Sequence, residues 1–408
     1  MDKAERLLIV GAGQAGFAAA AKLRALNDHR PITIVGAEDV LPYQRPPLSK
    51  KYLVGDMSFE RLLFRPQQWY VDNRVDIHLS TWVEEIRRDK KQVVLGTGAV
   101  LDYGTLLLAT GSTPRQLPAA GGGALRGVYV MRDKRDADLL AEAMLPGRRV
   151  LIIGGGYIGL EAAAVARHHG LNVTVIEMAD RILQRTSASE TADIMRSIHQ
   201  AHGVIIRERT GLEHLIGKDG HVCAAKLSDG SVIDLDCVIV GIGVLPNDQL
   251  ADAAELDVKN GIVVDEFGRT SDPSIFAAGD CASFPWQGGR IRFESVQNAV
   301  DQAEAIAAVI AGGTEPYRPK PWFWSDQYDV KLQIAGFNLG YDQTLVRPGS
   351  RERTYSVWYF KEGVFLSVDA LNDATAYLLG RKMLELGINP HPSTLADPSS
   401  DLKQLLRA

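Results

Sequence analysis

Two short stretches of the chain carry three glycines each in the spacing G-x-G-x-x-G. The first runs from Gly11 to Gly16 and reads GAGQAG, and the second runs from Gly154 to Gly159 and reads GGGYIG. In such a loop the first glycine permits a tight turn, the second lets a pyrophosphate approach the backbone, and the third allows a helix to pack close to a strand. Both stretches therefore predict the binding of a dinucleotide.

Each loop needs a strand before it and a helix after it, because the helix offers free N–H groups and its positive dipole end to an anion. Residues 7–10 are aliphatic and predict a buried strand, and an alanine-rich helix follows the first loop. Residues 149–153 predict a second such strand. A helix follows over 160–166, and Gly170 is expected to stop it. A glycine turn in an ordinary βα unit is the alternative for each loop, and this context favours the binding loop.

A carboxylate about 20 residues further on binds the ribose hydroxyls when it stands at the tip of the next strand. Glu177 ends the strand predicted over 172–177 and fits this position. Its charge repels a 2′-phosphate and favours NADH over NADPH, although Arg181 and Arg185 follow nearby. For the first loop the candidate is Glu38, which comes slightly late, and a solvated loop acid explains it equally well.

Charged and small residues stand at the ends of other predicted elements. The loop 41–50 contains three prolines, so Arg45 and Lys50 either hold positive charge against a ligand at small entropic cost or are solvated. The buried strand predicted over 106–114 closes with small residues, and the segment 237–243 likewise ends in glycines. Small residues there indicate backbone that passes close to a ligand, and the ones concerned are Ala109, Thr110, Gly111 and Gly243.

The last third of the chain offers one more acid and one more helix start. Asp280 follows a predicted strand and a glycine, where it either accepts hydrogen bonds from a polyol or caps the next segment. Ser295 is predicted to cap a helix that begins at Val296, with its dipole directed at a cofactor that becomes negative on reduction. After a proline-rich linker over 316–321, strands, a core of aromatic residues and a helix over about 374–386 are expected.

Composition limits the function classes. A chain of 408 residues predicts two or three domains, and a net charge of −5 gives no electrostatic case for nucleic acid. The three cysteines lie far apart without a C-x-x-C pair, which argues against a disulfide framework, a cysteine metal site or a dithiol redox centre. No apolar run approaches transmembrane length. We therefore expect a cytoplasmic protein with no membrane partner and no metal site.

Two dinucleotide loops in one chain indicate two cofactors, NADH and FAD, because FMN has no pyrophosphate for the first loop to bind. Together they imply hydride transfer from the nicotinamide to the flavin. A disulfide reductase or a cysteine peroxidase is disfavoured by the missing cysteines, while a substrate hydroxylase stays possible. By elimination, a one-electron carrier is the favoured acceptor.

Seven segments, in this order and spacing, resemble the FAD-dependent ferredoxin reductases, in particular the putidaredoxin-reductase-like and Rieske-dioxygenase-reductase group. They are GAGQAG, RPPLSK, LATGSTPR, GGGYIGLEAA, TSDPSIFAAGDCA, ESVQNA and PWFWSDQY. The resemblance covers essentially the whole chain. It implies an α/β, glutathione-reductase-like architecture with two Rossmann-type dinucleotide-binding domains and a C-terminal α+β interface domain. The FAD domain would comprise 1–113 and 244–320, the NAD domain 114–243 and the C-terminal domain 321–408.

The resemblance also assigns roles to individual residues. FAD would be contacted by Gly11, Ala12, Gly13, Gln14, Ala15, Gly16, Lys50, Val83, Thr110, Gly111, Arg132, Asp280 and Val296. NADH would be contacted by Gly155, Tyr157, Ile158, Gly159, Glu177, Arg185 and Gly243, beside the other loop glycines Gly154 and Gly156. Lys50 and Glu161 would form an ion pair near the flavin, and Trp324 would lie at the flavin's edge towards the ferredoxin. Several relatives carry an acid at the position of Ala37, whereas here the acid is Glu38.

The implied function is electron transfer from NADH to a [2Fe–2S] ferredoxin that serves a haem-thiolate monooxygenase or a ring-hydroxylating dioxygenase. Such ferredoxins are acidic, so a basic docking patch is expected, with Arg45 and Arg65 as candidates. Two alternatives stay open: an NADH oxidase or rubredoxin reductase, and a slow-turnover, NADH-binding signalling flavoprotein.

Overall fold

Short aliphatic strands and the helices that cover them make up most of the chain. The computed structural model describes residues 5–349, 351–397 and 400–406. In chain order the strands are β1 (Leu7–Val10), β2 (Ile32–Val35), β3 (Val75–His78), β4 (Val83–Arg87), β5 (Gln92–Leu95), β6 (Val100–Asp102), β7 (Thr105–Leu108), β8 (Ser112–Pro114), β9 (Val128–Tyr129), β10 (Arg149–Ile153), β11 (Asn172–Ile176), β12 (Ile205–Arg207), β13 (Leu212–Lys218), β14 (His221–Leu227), β15 (Val232–Asp234), β16 (Cys237–Val240), β17 (Val244–Pro246), β18 (Ile262–Val263), β19 (Ile275–Ala277), β20 (Ala282–Trp286), β21 (Gly289–Ile291), β22 (Trp322–Gln327), β23 (Val330–Gly336), β24 (Gln343–Pro348), β25 (Tyr355–Lys361) and β26 (Val364–Leu371). The helices are α1 (Gln14–Ala25), α2 (Lys51–Val54), α3 (Gln67–Asp72), α4 (Lys134–Ala143), α5 (Tyr157–His168), α6 (Ser189–Ala201), α7 (Gln249–Ala253), α8 (Val296–Ile310), α9 (Ala374–Leu386) and α10 (Pro392–Ala396).

The described residues form two compact units. Unit 1 comprises 5–46, 58–113 and 244–319, and unit 2 comprises 47–57, 114–243 and the described part of 320–406. The three-domain division expected from the sequence stays a prediction, because unit 2 holds both the second dinucleotide loop and the C-terminal region.

Unit 1 is built on a parallel sheet with the strand order β19-β7-β1-β2-β3. All four residues of β1 are buried, as expected for a central parallel strand covered on both faces. Helices α1 and α8 share one hydrophobic core with this sheet, and small alanines allow their close contact. Two three-stranded sheets, β4-β5-β6 and β18-β20-β21, complete the unit with the β8-β17 pair.

The strand predicted over 106–114 is wrong in extent. It ends at Leu108, and residues 112–114 form the separate strand β8. Gly111 has φ +70°, a left-handed conformation that breaks the extended chain.

Unit 2 repeats the arrangement with a parallel sheet of order β12-β11-β10-β16-β9. Helix α5 covers β10 with its apolar residues. The antiparallel sheet β13-β14-β15 accompanies it. The strands β22 to β26 form an antiparallel sheet of order β22-β23-β26-β25-β24, against which α9 packs.

The predicted aromatic core of this last region is confirmed in β25, where Trp358, Tyr359 and Phe360 are fully buried. Residues 322–324 are only half-buried, and of these Trp322 packs against the same core. Their strand, β22, lies at the edge of its sheet, so these rings are only partly covered.

Several local predictions are confirmed to the residue: the strands over 7–10 and 149–153, and the helix over 374–386. All three cysteines are free thiols. Among the described residues no helix is long and apolar enough to cross a membrane.

Candidate functional site

The loop between β1 and α1 leaves no room for a side chain at two of its glycines. Gly11 has φ +116°, and a Cβ there would lie 2.1 Å from the carbonyl oxygen of Ala109. A Cβ on Gly16 would lie 2.0 Å from the carbonyl oxygen of Gly11. On Gly13, by contrast, a Cβ would meet no described atom within 4 Å, so packing does not explain this glycine. Open space beside Gly13 is what a pyrophosphate close to the backbone requires.

The loop between β10 and α5 has the same three properties. Gly154 has φ +106°, and its Cβ would lie 2.4 Å from the carbonyl oxygen of Gly241. The Cβ of a residue at Gly159 would lie 2.1 Å from the carbonyl oxygen of Gly154, whereas at Gly156 it would meet nothing described within 4 Å. The two loops are therefore built alike, one in each unit.

A dinucleotide fits both loops for further reasons. Gln14 Oε1 is buried and has no hydrogen-bond partner among the described residues. Helices α1 and α5 begin after Gly13 and Gly156 without a side-chain cap, which leaves their first N–H groups to another acceptor. Phosphate oxygens are such acceptors.

The loops differ at the tip of the following strand. The N–H of Gly11 donates to Val35 and that of Gly154 to Ile176, at 2.8 and 2.9 Å. The residues that follow these acceptors, Gly36 and Glu177, therefore hold equivalent positions, and only the second loop has its acid at the strand tip.

Backbone N–H groups hold the carboxylate of Glu177. The N–H of Gly155 donates to Oε2 at 2.7 Å, and that of Ala179 donates to Oε1 at 2.8 Å. Each carboxylate oxygen has a second lone pair, so both can still accept a ribose hydroxyl. The side chain is thus oriented before a nucleotide binds.

Glu38 is paired with other side chains of unit 1, so it is not the solvated loop acid that was the alternative hypothesis for this position. The Tyr43 hydroxyl donates to its Oε2 at 2.6 Å, and Arg45 forms an ion pair with its Oε1. Arg45 also lies 5.3 Å from the centroid of the Tyr43 ring. The stiff loop thus places its arginine against the acid. Arg65, the other docking candidate, is exposed and donates to the carbonyl of Phe64 at 2.8 Å.

The segments that follow β7 and β19 meet in unit 1. The Ser112 hydroxyl donates to Asp280 Oδ2 at 2.7 Å, and Thr110 donates to the carbonyl of Asn247 at 2.6 Å. Asn247 in turn donates to the carbonyl of Thr110 at 2.8 Å, which fixes the end of β7. The predicted cap at Ser295 is confirmed, because its Oγ accepts the N–H of Asn298 at 3.1 Å.

A close approach at Gly279 joins this turn to two helices. A Cβ on Gly279 would lie 3.2 Å from that of Ala15 in α1 and 3.5 Å from that of Ala299 in α8. The first turns of α1 and α8, the end of β7 and Asp280 therefore surround one region of unit 1.

In unit 2 the candidate NADH residues also converge. A Cβ on Gly243 would lie 3.7 Å from a guanidinium nitrogen of Arg185. The Tyr157 hydroxyl is 2.8 Å from Ser187 Oγ, and its ring packs on that of Phe323 with centroids 4.8 Å apart. Burial raises the pKa of Tyr157 well above its ordinary value, so the phenol stays protonated. Ile158 is 46% exposed.

Lys50 and Glu161 form an ion pair within unit 2, with Nζ 2.8 Å from Oε2. Glu161 lies in the second turn of α5 and is 5% exposed, which a carboxylate tolerates only when it is paired and hydrogen-bonded. The Ser49 hydroxyl donates to Oε2 at 3.0 Å, and that of Ser325 donates to Oε1 at 2.7 Å. The pair expected from the resemblance is thus present in the geometry.

The sequence analysis missed the residues that hold these groups. Ser49, Ser112 and Ser325 lie in the RPPLSK, LATGSTPR and PWFWSDQY segments, but no motif predicts that they or Asn247 hold these groups. The other predicted contacts keep their status as predictions: Val83 opens β4, Arg132 precedes α4, Val296 opens α8, and Trp324 lies in β22.

The family model described as pyridine nucleotide-disulphide oxidoreductase matches residues 5–303, and one described as reductase C-terminal matches 322–406. This chain belongs to the pyridine nucleotide-disulphide oxidoreductase family. As a member of that family it is an α/β protein with Rossmann-like parallel-sheet regions and an added C-terminal region.

The similar members of this family are reductases. Rhodocoxin reductase from Rhodococcus erythropolis is 42% identical over 97% of this chain and 93% of that protein. The ferredoxin–NAD(+) reductase component of an anthranilate 1,2-dioxygenase system from Burkholderia cepacia is 40% identical over 99% of this chain and all of that protein. A solved covalent complex of putidaredoxin reductase with putidaredoxin matches with a TM-score of 0.95 and 38% identity, over 99% of this chain and 98% of that chain.

Proposed function

We propose that this protein is an FAD-dependent NADH:ferredoxin reductase. It takes a hydride from NADH onto FAD and passes single electrons to a [2Fe–2S] ferredoxin. The observation that carries the proposal is the repeated loop geometry, with Gly13 and Gly156 open in otherwise closed glycine turns. Two such loops in one chain serve two pyrophosphate-bearing cofactors.

Unit 2 holds the nicotinamide dinucleotide and unit 1 holds FAD. The oriented carboxylate of Glu177 accepts the two hydroxyls of the adenosine ribose and repels a 2′-phosphate, which makes NADH the preferred donor. Arg185 and Gly243 line the same site, and the hydroxyl of Tyr157 orients its ring there.

Unit 1 has no acid at the strand tip equivalent to Glu177. Glu38, held by Tyr43 and Arg45, supplies its carboxylate from two residues further along. Gln14, Ala109, Thr110, Gly111 and Asp280 complete the FAD contacts. The dipole of α8, capped by Ser295, stabilises negative charge at its start.

Lys50 and Glu161 are assigned to the redox step. Bound FAD supplies the chemistry, because it accepts two electrons as hydride and releases them one at a time. The ammonium of Lys50 stabilises negative charge that accumulates on reduction, and Glu161 holds that ammonium in place.

Two observations indicate the electron acceptor: the sequence has no C-x-x-C dithiol pair, and the similar proteins are ferredoxin reductases. Cys237 and Cys281 are buried free thiols whose pKa burial raises, so neither is a reactive thiolate. The relatives named above are a rhodocoxin reductase, a putidaredoxin reductase bound to putidaredoxin, and the ferredoxin reductase component of a dioxygenase system. We therefore assign this chain a [2Fe–2S] ferredoxin that feeds a haem-thiolate monooxygenase or ring-hydroxylating dioxygenase. Its three unpaired cysteines fit a reducing compartment such as the cytoplasm.

Stopped-flow reduction by NADH, followed by cytochrome c reduction with and without a [2Fe–2S] ferredoxin, tests the proposal. We expect a yellow protein that NADH bleaches quickly and that reduces cytochrome c only when the ferredoxin is present. A colourless protein that FAD does not reconstitute contradicts the proposal.

The same experiment separates the alternatives. Fast oxygen consumption without a carrier indicates an oxidase, and equal turnover with a rubredoxin indicates a rubredoxin reductase. A long-lived charge-transfer complex with negligible turnover indicates the signalling class.

A further inference from the structure

A chain of buried polar groups leads from the Glu161 carboxylate into the C-terminal sheet of unit 2. Ser325 and Gln327 lie on the same face of β22, and both are fully buried, while Asp326 between them is exposed. Gln327 Nε2 donates to Ser325 Oγ at 2.9 Å. Gln327 Oε1 lies 2.7 Å from His199 Nε2 in α6. The chain is thus Glu161, Ser325, Gln327 and His199.

The acceptor at one end determines the direction of every hydrogen bond. An ionised carboxylate only accepts, so the Ser325 hydroxyl donates its proton to Glu161 Oε1. The serine oxygen must then accept from an N–H of Gln327, which turns the amide oxygen towards His199. His199 Nε2 therefore carries the proton, and Nδ1 accepts from the Tyr328 hydroxyl at 3.2 Å.

His199 is neutral, as this arrangement requires. It is fully buried, and burial lowers its pKa to about 4. Its ring also contacts the Tyr328 ring, with centroids 5.1 Å apart. A neutral imidazole has one donor and one acceptor, and both are used here. The amide of Gln327 is thereby held in one orientation.

Packing alone does not explain two polar residues on the inner face of β22. Ser325 and Gln327 pair across the sheet with Leu332 and Val330, both buried and apolar. Buried polar side chains cost stability relative to apolar ones unless every group is satisfied. An apolar pair in β22 would fill this face equally well, but it would leave Glu161 Oε1 without a donor.

We propose that Ser325, oriented by Gln327 and His199, is a positioning residue that fixes the Glu161 carboxylate so that Oε2 is presented to Lys50. The inference rests on the proposed function for the role of Lys50. Lys50 and Ser49 occupy Oε2, and Ser325 alone of these three donates to Oε1. Without the serine hydroxyl, Oε1 loses its donor and the carboxylate is held at Oε2 alone, so its negative charge acts more strongly on its surroundings.

Ser325→Ala tests the proposal, with Ser367→Ala as the matched control. Ser367 is an equally buried serine of the same sheet, but its Oγ has no described partner. The holoenzyme variants are compared by FAD content, by the limiting rate and NADH dissociation constant in stopped-flow flavin reduction, and by the flavin midpoint potential. Loss of one hydrogen bond to a charged group predicts a limiting rate reduced by roughly tenfold in Ser325→Ala.

We expect the Ser325→Ala midpoint potential to fall below that of the wild type, with FAD content and the NADH dissociation constant unchanged. Ser325→Thr keeps the hydroxyl and should restore both rate and potential. Ser367→Ala should match the wild type in every measurement. Rate and potential in Ser325→Ala that equal those of Ser367→Ala would overturn the proposal.

The isosteric change Gln327→Glu gives a second test that does not depend on the fold of Ser325→Ala. An ionised carboxylate at position 327 cannot donate to Ser325 and instead competes with Glu161 for the serine proton, which weakens the hydrogen bond to Glu161. The limiting rate and the potential should again fall, whereas wild-type values for both would contradict the positioning role. Failure of the proposed function is a separate outcome, because NADH then does not reduce even the wild-type flavin.

Discussion

Glu177 offers the sharpest test of how this protein chooses its nucleotide. Its two carboxylate oxygens accept the N–H groups of Gly155 and Ala179, which hold the side chain in one orientation. Glu177→Ala removes both the ribose acceptors and the charge that repels a 2′-phosphate. We therefore expect NADH use to weaken and the gap to NADPH to narrow.

The magnitude follows from the two hydroxyl contacts. A hydrogen bond to a charged group contributes about 1.5–3 kcal/mol, and Glu177 is half-buried, so the lower end applies. Loss of both contacts costs about 3 kcal/mol, which corresponds to a fall in kcat/KM for NADH of roughly 100-fold at 1.36 kcal/mol per factor of ten. For NADPH the substitution removes a negative charge that repels its 2′-phosphate. The ratio of kcat/KM for NADH to that for NADPH should therefore fall by at least the same factor.

The assay is stopped-flow flavin reduction with NADH and NADPH at one fixed ionic strength, because salt screens the phosphate repulsion. Asp180→Ala is the control. Asp180 is an acid three residues further on, exposed and paired with Arg209 at 3.0 Å, and its loss should leave the ratio unchanged. A Glu177→Ala variant with the wild-type NADH/NADPH ratio would refute the assignment.

Five further substitutions probe three other parts of the structure: the ion pair, the glycine loops and the buried histidine. Lys50→Ala should slow flavin reduction by tenfold or more without loss of FAD. It should also lower the free energy of unfolding by about 3–5 kcal/mol, because it leaves a buried carboxylate unpaired. Stopped-flow traces and urea melts measure the two effects, and normal reduction kinetics would show that the lysine has no part in the redox step. Gly156→Ala should fold normally but bind NADH roughly tenfold more weakly, and Gly13→Ala should weaken FAD binding in the same way. Gly159→Ala should unfold at a lower temperature, because its Cβ would meet a carbonyl oxygen. Cofactor titrations and thermal melts measure these effects, and wild-type affinity in Gly156→Ala and Gly13→Ala would exclude the loops as binding sites. The pKa of His199 is about 4 in the folded state and about 6.5 in the unfolded state, so between these pH values the unfolded state binds more protons. The free energy of unfolding should therefore fall by up to about 3 kcal/mol as the pH falls from 6.5 to 4. His199→Gln should abolish this pH dependence in urea melts, and an equal pH dependence in both proteins would show that His199 does not titrate as inferred.

Local sequence determined the parts of the fold that depend on neighbours in the chain. The run LLIV predicts β1 because four consecutive aliphatic residues suit a strand buried on both faces, and the structure has β1 over these residues. Ser295 predicts a helix start because its hydroxyl accepts an N–H three residues ahead, and it does so. The acid at the tip of β11 was likewise placed by counting along one βαβ unit.

Other properties depended on residues far apart in the chain. Glu161 receives donors from Ser49 and Ser325, more than 100 residues away on either side, and no periodicity links these positions. The half-burial of Trp322 and Trp324 depends on the place of β22 at a sheet edge, which composition does not encode.

By itself the sequence predicted two glycine loops, each between a strand and a helix, as sites for two dinucleotides, because turn geometry and helix capping act over a few residues. Only the tertiary structure decided which groups hold the Glu161 carboxylate and turn it towards Lys50. A buried charge must find its donors wherever the packed chain brings them, and in this protein they are the neighbouring residues Ser49 and Lys50 and, from β22, Ser325, all more than 100 residues from Glu161.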